Sequence, residues 1–545
     1  MQGATAIAKI LKMEGIEFIS GVPINFIFEE GAKEGLRPII TRTERVGVGI
    51  ADGFTRASNG TRIGVCAMQS GPGAENAFPG VAQAFSDSVP ILVLPTGLGR
   101  RRLVSPNFSA VKNYQAITKW VDTINFADRV PELMRRAFTY LRMGRPGPVM
   151  LEIPLDVCVE EFDDANFKYK PVKGARSAGD PAEVKEVAKA LLEAKNPVIR
   201  AGHGVLWACA WDELRELAEL LQIPVYTTMS GKSAFPENHP LSLGAAGRTR
   251  PKMVMHFLKK ADLVFAIGSS CFKDAWTTPI PDGATIIQST VDERDINKDY
   301  PVEHAIIGDA KLVLQQLINE VKEQNGSKSS KNNKAVSKEI KEVKDAWLRE
   351  WMPKLTSNEV PINPYRVIGD MMKVLDRKET IITHDSGNPR DALLPFWECL
   401  TPGSYIGWGK STMLGASLGF AMGAKLARPD KTAVCFLGNM AFGMVGMDFE
   451  TAVREKIPIL VILLNNSLLG GYHAIHPVAS DRYNLNRQTG DYAKIAEALG
   501  GYSEKVEQPN NIIPAIQRAK IKVESGQPAL VEIITREDTT FSLYA

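Results

Sequence analysis

The chain has 545 residues, too many for one hydrophobic core, so two to four domains are expected. Its apolar share of 44% and charged share of 23% are those of an ordinary globular protein, and a formal charge of only +3 gives no reason to expect a nucleic-acid or membrane-surface partner. No stretch approaches the roughly 18–20 apolar residues that a membrane span needs.

Residues 1–18, MQGATAIAKILKMEGIEF, read as an amphipathic helix. Lys9, Lys12 and Glu14 interrupt the apolar residues and no small-residue cleavage site follows, so a secretory signal is not expected. Apolar, β-rich runs then alternate with helical patterns: IGVCAMQS, VPILVLPTG, PVMLEIP, PVIRAG, ADLVFAIGS, TIIQSTVD, ETIITHDSG, TAVCFLGN, PILVILLNN and ALVEIITRE. Such alternation predicts an α/β protein with parallel sheets buried on both faces. Polar tracts around 168–183 and 323–344 mark boundaries. The expected blocks are 1–170, 180–325, a linker and helix over 326–352, and 353–545. Six cysteines (Cys66, Cys158, Cys209, Cys271, Cys399, Cys435) show no CxxC spacing. That disfavours a disulfide framework or zinc site and suits a reducing cytoplasm.

Glycine-rich stops recur where apolar runs end: SGPGAEN (70–76), AGHG (201–204), HDSGN (384–388), LGN (437–439) and LLNN (463–466). Ligands of open parallel sheets sit at such strand ends, although many turns of this kind serve packing alone. AGHG lacks the spacing of a dinucleotide fingerprint. Near the end of the chain, two apolar runs stop at Gly438-Asn439 and at Asn465-Asn466. Asn439 and Asn466 are 27 residues apart, about one βαβ unit. Two amide oxygens at one sheet edge could hold Mg²⁺ shared with phosphates; asparagines that only cap strand ends would give the same pattern.

This last stretch resembles the cofactor motif of thiamine-diphosphate-dependent enzymes, which carry Gly-Asp-Gly, a helix, a strand and Asn-Asn over the same interval. RTERVGVGIADGFTRAS (42–58) and SGPGAENAFPGVAQAFSDSVPILVLPTG (70–97) resemble that family's pyrimidine-binding segments, so the likeness covers nearly the whole chain. It implies three doubly wound parallel-sheet domains: a pyrimidine-binding domain, a central Rossmann-like domain and a diphosphate-binding domain. It also implies thiamine diphosphate and Mg²⁺ as cofactors. The implied metal ligands are Asn439, Asn466 and the carbonyl of Leu468. Glu44 is the implied catalytic acid, sharing a proton with N1′ of the aminopyrimidine. Pro23, Pro72 and Asn76 match positions near the pyrimidine. Asn388, Gly438, Met440, Ala441 and Gly470 match positions near the diphosphate, and Leu414 or Met413 supplies the wedge beneath the two rings. Read from the residues alone, Glu44 is rather a solvent-facing partner of Arg42 or Arg45.

The departure is Asn439, where the family has a carboxylate. One negative charge fewer beside a dication should weaken metal binding, and Asp448 on the following helix is a poor substitute. A non-catalytic protein of this fold therefore stands as one alternative. Among enzymes, NNSLLGG, ENHPLSLG (237–244) and VEHAIIGDAKLVLQQL (302–317) resemble the acetolactate-synthase-like group, whose members decarboxylate a 2-oxo acid and transfer the acyl-anion equivalent. AFGMVGMDFETAVR (441–454) and GVPIN (21–25) resemble oxalyl-CoA decarboxylases and 2-hydroxyacyl-CoA lyases. The central domain would accordingly carry FAD in the first case and ADP or CoA in the second. Candidates for the substrate pocket are Asn25, Leu98, Phe108, Tyr472, His473 and His476. Arg100-Arg101-Arg102 reads as a solvated loop end or an anion contact. The resemblance further implies a homodimer or homotetramer with active sites between subunits and a small-molecule substrate.

Overall fold

A computed structural model describes the whole chain except residues 24, 103–107, 326–333, 412 and 545. Three six-stranded sheets organise it, each entirely parallel. The first runs in the order Arg37–Ile40, Phe18–Gly21, Gly64–Gln69, Ile91–Gly97, Val149–Pro154, Trp120–Thr123. The second runs His304–Ile307, Thr285–Thr290, Leu263–Ile267, Pro197–Ala201, Val225–Thr228, Ser242–Ala246. The third runs Tyr405–Ile406, Thr380–His384, Thr432–Gly438, Ile459–Asn465, Ala529–Ile534, Tyr502–Val506. The central strands are continuous β-branched and leucine-rich runs with both faces buried, as the strand Ile459–Asn465 illustrates. This is the expected α/β architecture. The long helix Lys334–Leu355 leads from the second sheet towards the third. Among the described residues no helix is long and apolar enough to cross a membrane.

In each sheet the chain departs on one side of its first strand and later resumes on the other, which opens a crevice at the switch point beyond the strand tips. The switch lies between Phe18–Gly21 and Gly64–Gln69, between Pro197–Ala201 and Leu263–Ile267, and between Thr380–His384 and Thr432–Gly438.

The first and third sheets have the same strand order, so their crossover helices Glu44–Ala57 and Ser417–Ala427 are structural counterparts. These two helices pack on each other through glycine. A Cβ on Gly423 would fall 2.2 Å from the Ile50 carbonyl oxygen, and one on Gly53 2.4 Å from that of Phe420. Glycine thus allows backbone-to-backbone contact and fixes the first domain against the third. Beside the crossing, Arg56 is buried with Asp52 (2.5 Å) and Asp87 (3.1 Å), and it also donates to the Gly407 carbonyl. Asp87 accepts the N–H groups of Gly409 and Lys410, so each buried charge has partners. The six cysteines are free, five of them buried.

Candidate active site at the switch points

Strands Thr432–Gly438 and Ile459–Asn465 pair in register from Ala433–Ile459 to Gly438–Leu464, so Asn439 and Asn466 both leave the sheet at the same edge. Asn439 is buried. Its Nδ2 donates to Gln488 Oε1 at 2.8 Å and to the Leu468 carbonyl at 3.4 Å. Asn466 Oδ1 accepts the N–H of Leu468 at 3.0 Å across a turn in which Ser467 takes a left-handed φ of 55°. Asn439, Asn466 and Leu468 are therefore brought together.

The preceding Asn465 does a different job. Its Nδ2 donates to Glu532 Oε1 at 2.7 Å and its Oδ1 accepts Ser467 N–H, so it fastens this strand end to its neighbour.

Asn388 opens the helix Asn388–Phe396 across the switch point. A Cβ on Gly470 would lie 3.0 Å from Asn388 Nδ2, so a side chain at 470 would crowd Asn388. Gly438 lies beside Pro389 of the same helix. Asp385, just before that helix, is fully buried. It accepts Gly415 N–H at 2.9 Å and the Ser417 hydroxyl at 2.7 Å, which fixes the loop bearing Met413 and Leu414. Those two are half-buried against the third domain's core, and the Leu414 carbonyl accepts from Arg45. Met440 Sδ receives Gln488 Nε2, and Ala441 is buried. Asp448 points away: it accepts Arg42 N–H (2.8 Å), Thr43 Oγ1–H (3.1 Å) and Thr451 Oγ1–H (2.9 Å), and so ties the two domains.

The oxygens available at the amide pair are neutral, and the described residues contain no group of three His, Cys, Asp or Glu placed to hold a metal. Uncharged hard oxygens suit a hard cation whose counter-charge comes from bound phosphates, and they are unsuited to zinc or copper.

In the first domain Glu44 opens the helix Glu44–Ala57, capped by Thr43, whose Oγ1 accepts Val46 N–H. It is 8% exposed, Asn76 Nδ2 donates to it at 3.3 Å, and Gly73 leaves space beside its other oxygen. Arg42 turns to Glu450 and Arg45 to the Leu414 carbonyl, so neither takes up Glu44. Pro72 begins the helix Pro72–Ser86, and both Pro72 and Pro23 are exposed. Asn25 caps the helix Phe26–Lys33 through Ile27 N–H and donates to the carbonyls of Met68 and Leu94. Leu98 is exposed, while Phe108 packs half-buried on the apolar cluster around Tyr114. On the third domain Tyr472, His473 and His476 are exposed; His473 pairs with Asp481 at 3.0 Å and Tyr472 stacks on His476. Arg100 is held by Asp156 and Glu160.

Two features escaped sequence reasoning. Gln488 lies in a polar loop, NLNRQTG, with no periodicity to single it out. The other is the extent of a cavity of about 470 Å³ at the switch point of the second sheet, beside the AGHG stop of the domain on which a nucleotide is expected. Its floor includes Gly202, His203 and Gly268, and Arg145, Arg176 and Lys410 stand around it. Buried His203 Nδ1 and Trp207 Nε1 have no hydrogen-bond partner there. Burial pushes the His203 imidazole down to about 3, so it is neutral. Burial, with Arg145 and Lys298 nearby, pushes the Lys410 ammonium down to about 8.

Paired α/β domains locked by a shared helix crossing, with an amide-rich crevice at the strand tips of one and a buried carboxylate on the other, have the architecture expected of a cofactor-dependent α/β enzyme. Comparison with known proteins gives the class its name. Residues 1–117 match the N-terminal TPP binding domain of thiamine pyrophosphate enzymes, residues 184–317 the central domain, and residues 385–533 the C-terminal TPP binding domain. The chain is 32% identical to a probable acetolactate synthase large subunit of Methanococcus aeolicus, covering 100% of this chain and 93% of that one. It is 29% identical to the glyoxylate carboligase of Escherichia coli O157:H7 (100% and 94%) and 26% identical to the acetolactate synthase isozyme 3 large subunit of Escherichia coli K12 (98% and 94%). The chain belongs to the thiamine pyrophosphate enzyme family, and thiamine diphosphate is its cofactor.

Proposed function

We propose that this protein is a Mg²⁺-dependent carboligase that decarboxylates a 2-oxo acid and joins the resulting acyl-anion equivalent to a second carbonyl compound. The C1–C2 bond of the donor breaks, CO₂ leaves, and the electron pair retained at C2 forms the new bond to the acceptor carbonyl, whose oxygen takes a proton. Bound thiamine diphosphate supplies the carbanion chemistry; what the chain's residues do is hold and orient it. Asn439, Asn466 and the Leu468 carbonyl hold the cation, and Asn388, Gly438, Met440, Ala441 and Gly470 line the diphosphate. Leu414, with Met413, supports the two rings. Glu44 holds the proton shared with N1′, and Asn76 orients it; Pro23 and Pro72 flank the pyrimidine. Tyr472, His473 and His476, with Leu98 and Phe108, border the substrate side.

The observation that carries the reading is the convergence of Asn439, Asn466 and the Leu468 carbonyl at the switch-point edge of the third sheet. The names of the relatives favour the carboligase over a CoA-thioester lyase. Active sites shared between two copies, with Glu44 of one copy serving the Asn439 site of another, accord with the exposed Ile475, Val478 and Tyr483 beside that site. The cavity of the second domain takes an adenine nucleotide or FAD, and the free thiols suit the cytoplasm.

The test is calorimetry with thiamine diphosphate, with and without Mg²⁺, together with CO₂ release from pyruvate and glyoxylate. Glu44→Gln should leave cofactor affinity within a few-fold and cut turnover by about 10²-fold or more, the scale of acid–base catalysis. Cofactor binding indifferent to Mg²⁺, or turnover undiminished in Glu44→Gln, would refute the assignment.

A further inference from the structure

We propose that Gln488 is a fourth protein ligand of the cation site, so that the metal is held by four neutral oxygens: Asn439 Oδ1, Asn466 Oδ1, the Leu468 carbonyl and Gln488 Oε1. This rests on the Mg²⁺ reading above and extends it to a residue outside the motif.

The loop carrying Gln488 is zipped onto the ligand turn. Gln488 N–H donates to the Ser467 carbonyl at 2.9 Å, Leu469 N–H donates to the Asn486 carbonyl at 2.7 Å, and Leu468 and Arg487 form an antiparallel bridge. The backbone beneath Gln488 therefore keeps its place relative to the Leu468 carbonyl. Its side-chain amide meets Asn439 through Oε1 at 2.8 Å and Met440 Sδ through Nε2.

Asn439 Nδ2 thus sits between two carbonyl-type oxygens, those of Gln488 and Leu468, and its N–H groups occupy the position a cation would fill. A primary amide has the same shape at both ends. A half-turn of the Asn439 amide replaces Nδ2 by Oδ1 and converts a ring of hydrogen bonds into a ring of oxygens. Asn466 leaves the neighbouring strand at the same edge, its Oδ1 on Leu468 N–H, and would supply the fourth oxygen. Mg²⁺ takes six oxygens, so bound diphosphate would supply the remainder.

A shell without a protein carboxylate has a thermodynamic signature. All its negative charge arrives with the cofactor, so metal and cofactor each bind poorly alone and strongly together. Gln488 supplies by number of donors part of what Asn439 lacks in charge.

The experiment measures Mn²⁺ affinity by electron paramagnetic resonance, with and without thiamine diphosphate, in wild type, Gln488→Ala, Gln488→Glu, Asn439→Asp and Asn439→Asp/Gln488→Ala. Gln488→Glu should raise Mn²⁺ affinity about tenfold or more and make it less dependent on the cofactor. Gln488→Ala should lower affinity several-fold in both the wild-type and the Asn439→Asp background. Gln488 is half-buried on a loop, and unchanged circular dichroism will show that the variants fold. If Asn439→Asp binds Mn²⁺ and every Gln488 substitution leaves affinity within twofold of its parent, the fourth ligand is wrong while the Mg²⁺ reading stands. If no variant binds Mn²⁺ even with the cofactor present, the Mg²⁺ reading fails and this one with it.

Discussion

Gly423→Ala adds one methyl group where the two counterpart helices cross. The new Cβ would lie 2.2 Å from the Ile50 carbonyl oxygen, 2.5 Å from Phe54 N and 2.9 Å from Gly53 C. All three are backbone atoms, so no rotamer change relieves the contact. Ordinary contact begins near 3.4 Å, and the helices must separate by about 1.2 Å at this point. Overpacking of a tight interface costs about 1–3 kcal/mol, and a clash wholly against backbone belongs at the upper end. Alanine recovers about 1 kcal/mol of helix propensity, which leaves a net loss of about 2 kcal/mol. For a domain of this size that lowers the melting temperature by roughly 4–8 °C. Function should suffer more, because Glu44 begins the displaced helix and ångström-scale misplacement of a reacting group costs about 10²-fold in rate. The assay pairs thermal unfolding by circular dichroism with CO₂ release under saturating cofactor. Gly443→Ala is the control: nothing lies within 4 Å of its Cβ position, so it should melt at or slightly above the wild-type temperature. A Gly423→Ala protein as stable and active as wild type would show that the crossing is not the fulcrum of the site.

Two further outcomes depend on buried charge. Lys232 is fully buried and donates to both Glu237 oxygens at 2.7 Å and to the Leu394 carbonyl at 3.0 Å, so Lys232→Met strands a buried carboxylate at a cost of about 3–5 kcal/mol. Burial already holds the Glu237 carboxyl above the ordinary range, and losing the ammonium raises it further. A folded-state pKa above the unfolded one contributes stability that is complete below the unfolded value and is lost as pH rises through the folded value. The urea-unfolding deficit of Lys232→Met should therefore be smaller at pH 5 than at pH 8, and an equal deficit at both would contradict this account. In the central cavity, Lys410 with a pKa of about 8 is protonated below that pH and then attracts a phosphate. ADP affinity measured by calorimetry should fall by up to about tenfold per pH unit above 8, and Lys410→Met should flatten that slope; a slope unchanged in the variant would exclude Lys410 as the titrating contact.

The sheets were legible because parallel strands buried on both faces are written as short unbroken apolar runs, such as PILVILLNN, bounded by turn residues and alternating with helical patterns. The edge formed by Asn439 and Asn466 followed from the same logic, since neighbouring parallel strands end at the same height. What lay beyond single elements was not legible. Glu44 sits between two arginines in sequence, and only the third domain, which takes Arg42 through Glu450 and Arg45 through Leu414, releases it from them. Asn25 reads from sequence as a candidate pocket residue; that it also caps the helix Phe26–Lys33 and donates to the Met68 and Leu94 carbonyls depends on strands distant in the chain. Gln488 reaches its place through backbone pairing with the 467–469 turn, a tertiary event with no periodic trace.

The likeness of the first and third sheets explains how these pieces meet. Identical strand order puts a crossover helix at equivalent places in both domains, and glycines at 49, 53, 419 and 423 let the two helices touch as backbones rather than as side chains. What the two halves share along this seam is glycine at a spacing of four residues, 49 and 53 against 419 and 423. That seam fixes where the helix of Glu44 starts, and Asp448 locks the start by accepting from Arg42 and Thr43. Asp448, the first acid after Asn439 in sequence, is thereby committed to domain geometry and cannot lend its charge to the crevice at the amide pair. On the proposed Mg²⁺ reading, a cation at Asn439 draws its negative charge from the cofactor, so the step most exposed to an amide in place of a carboxylate is loading of the site, ahead of any chemistry.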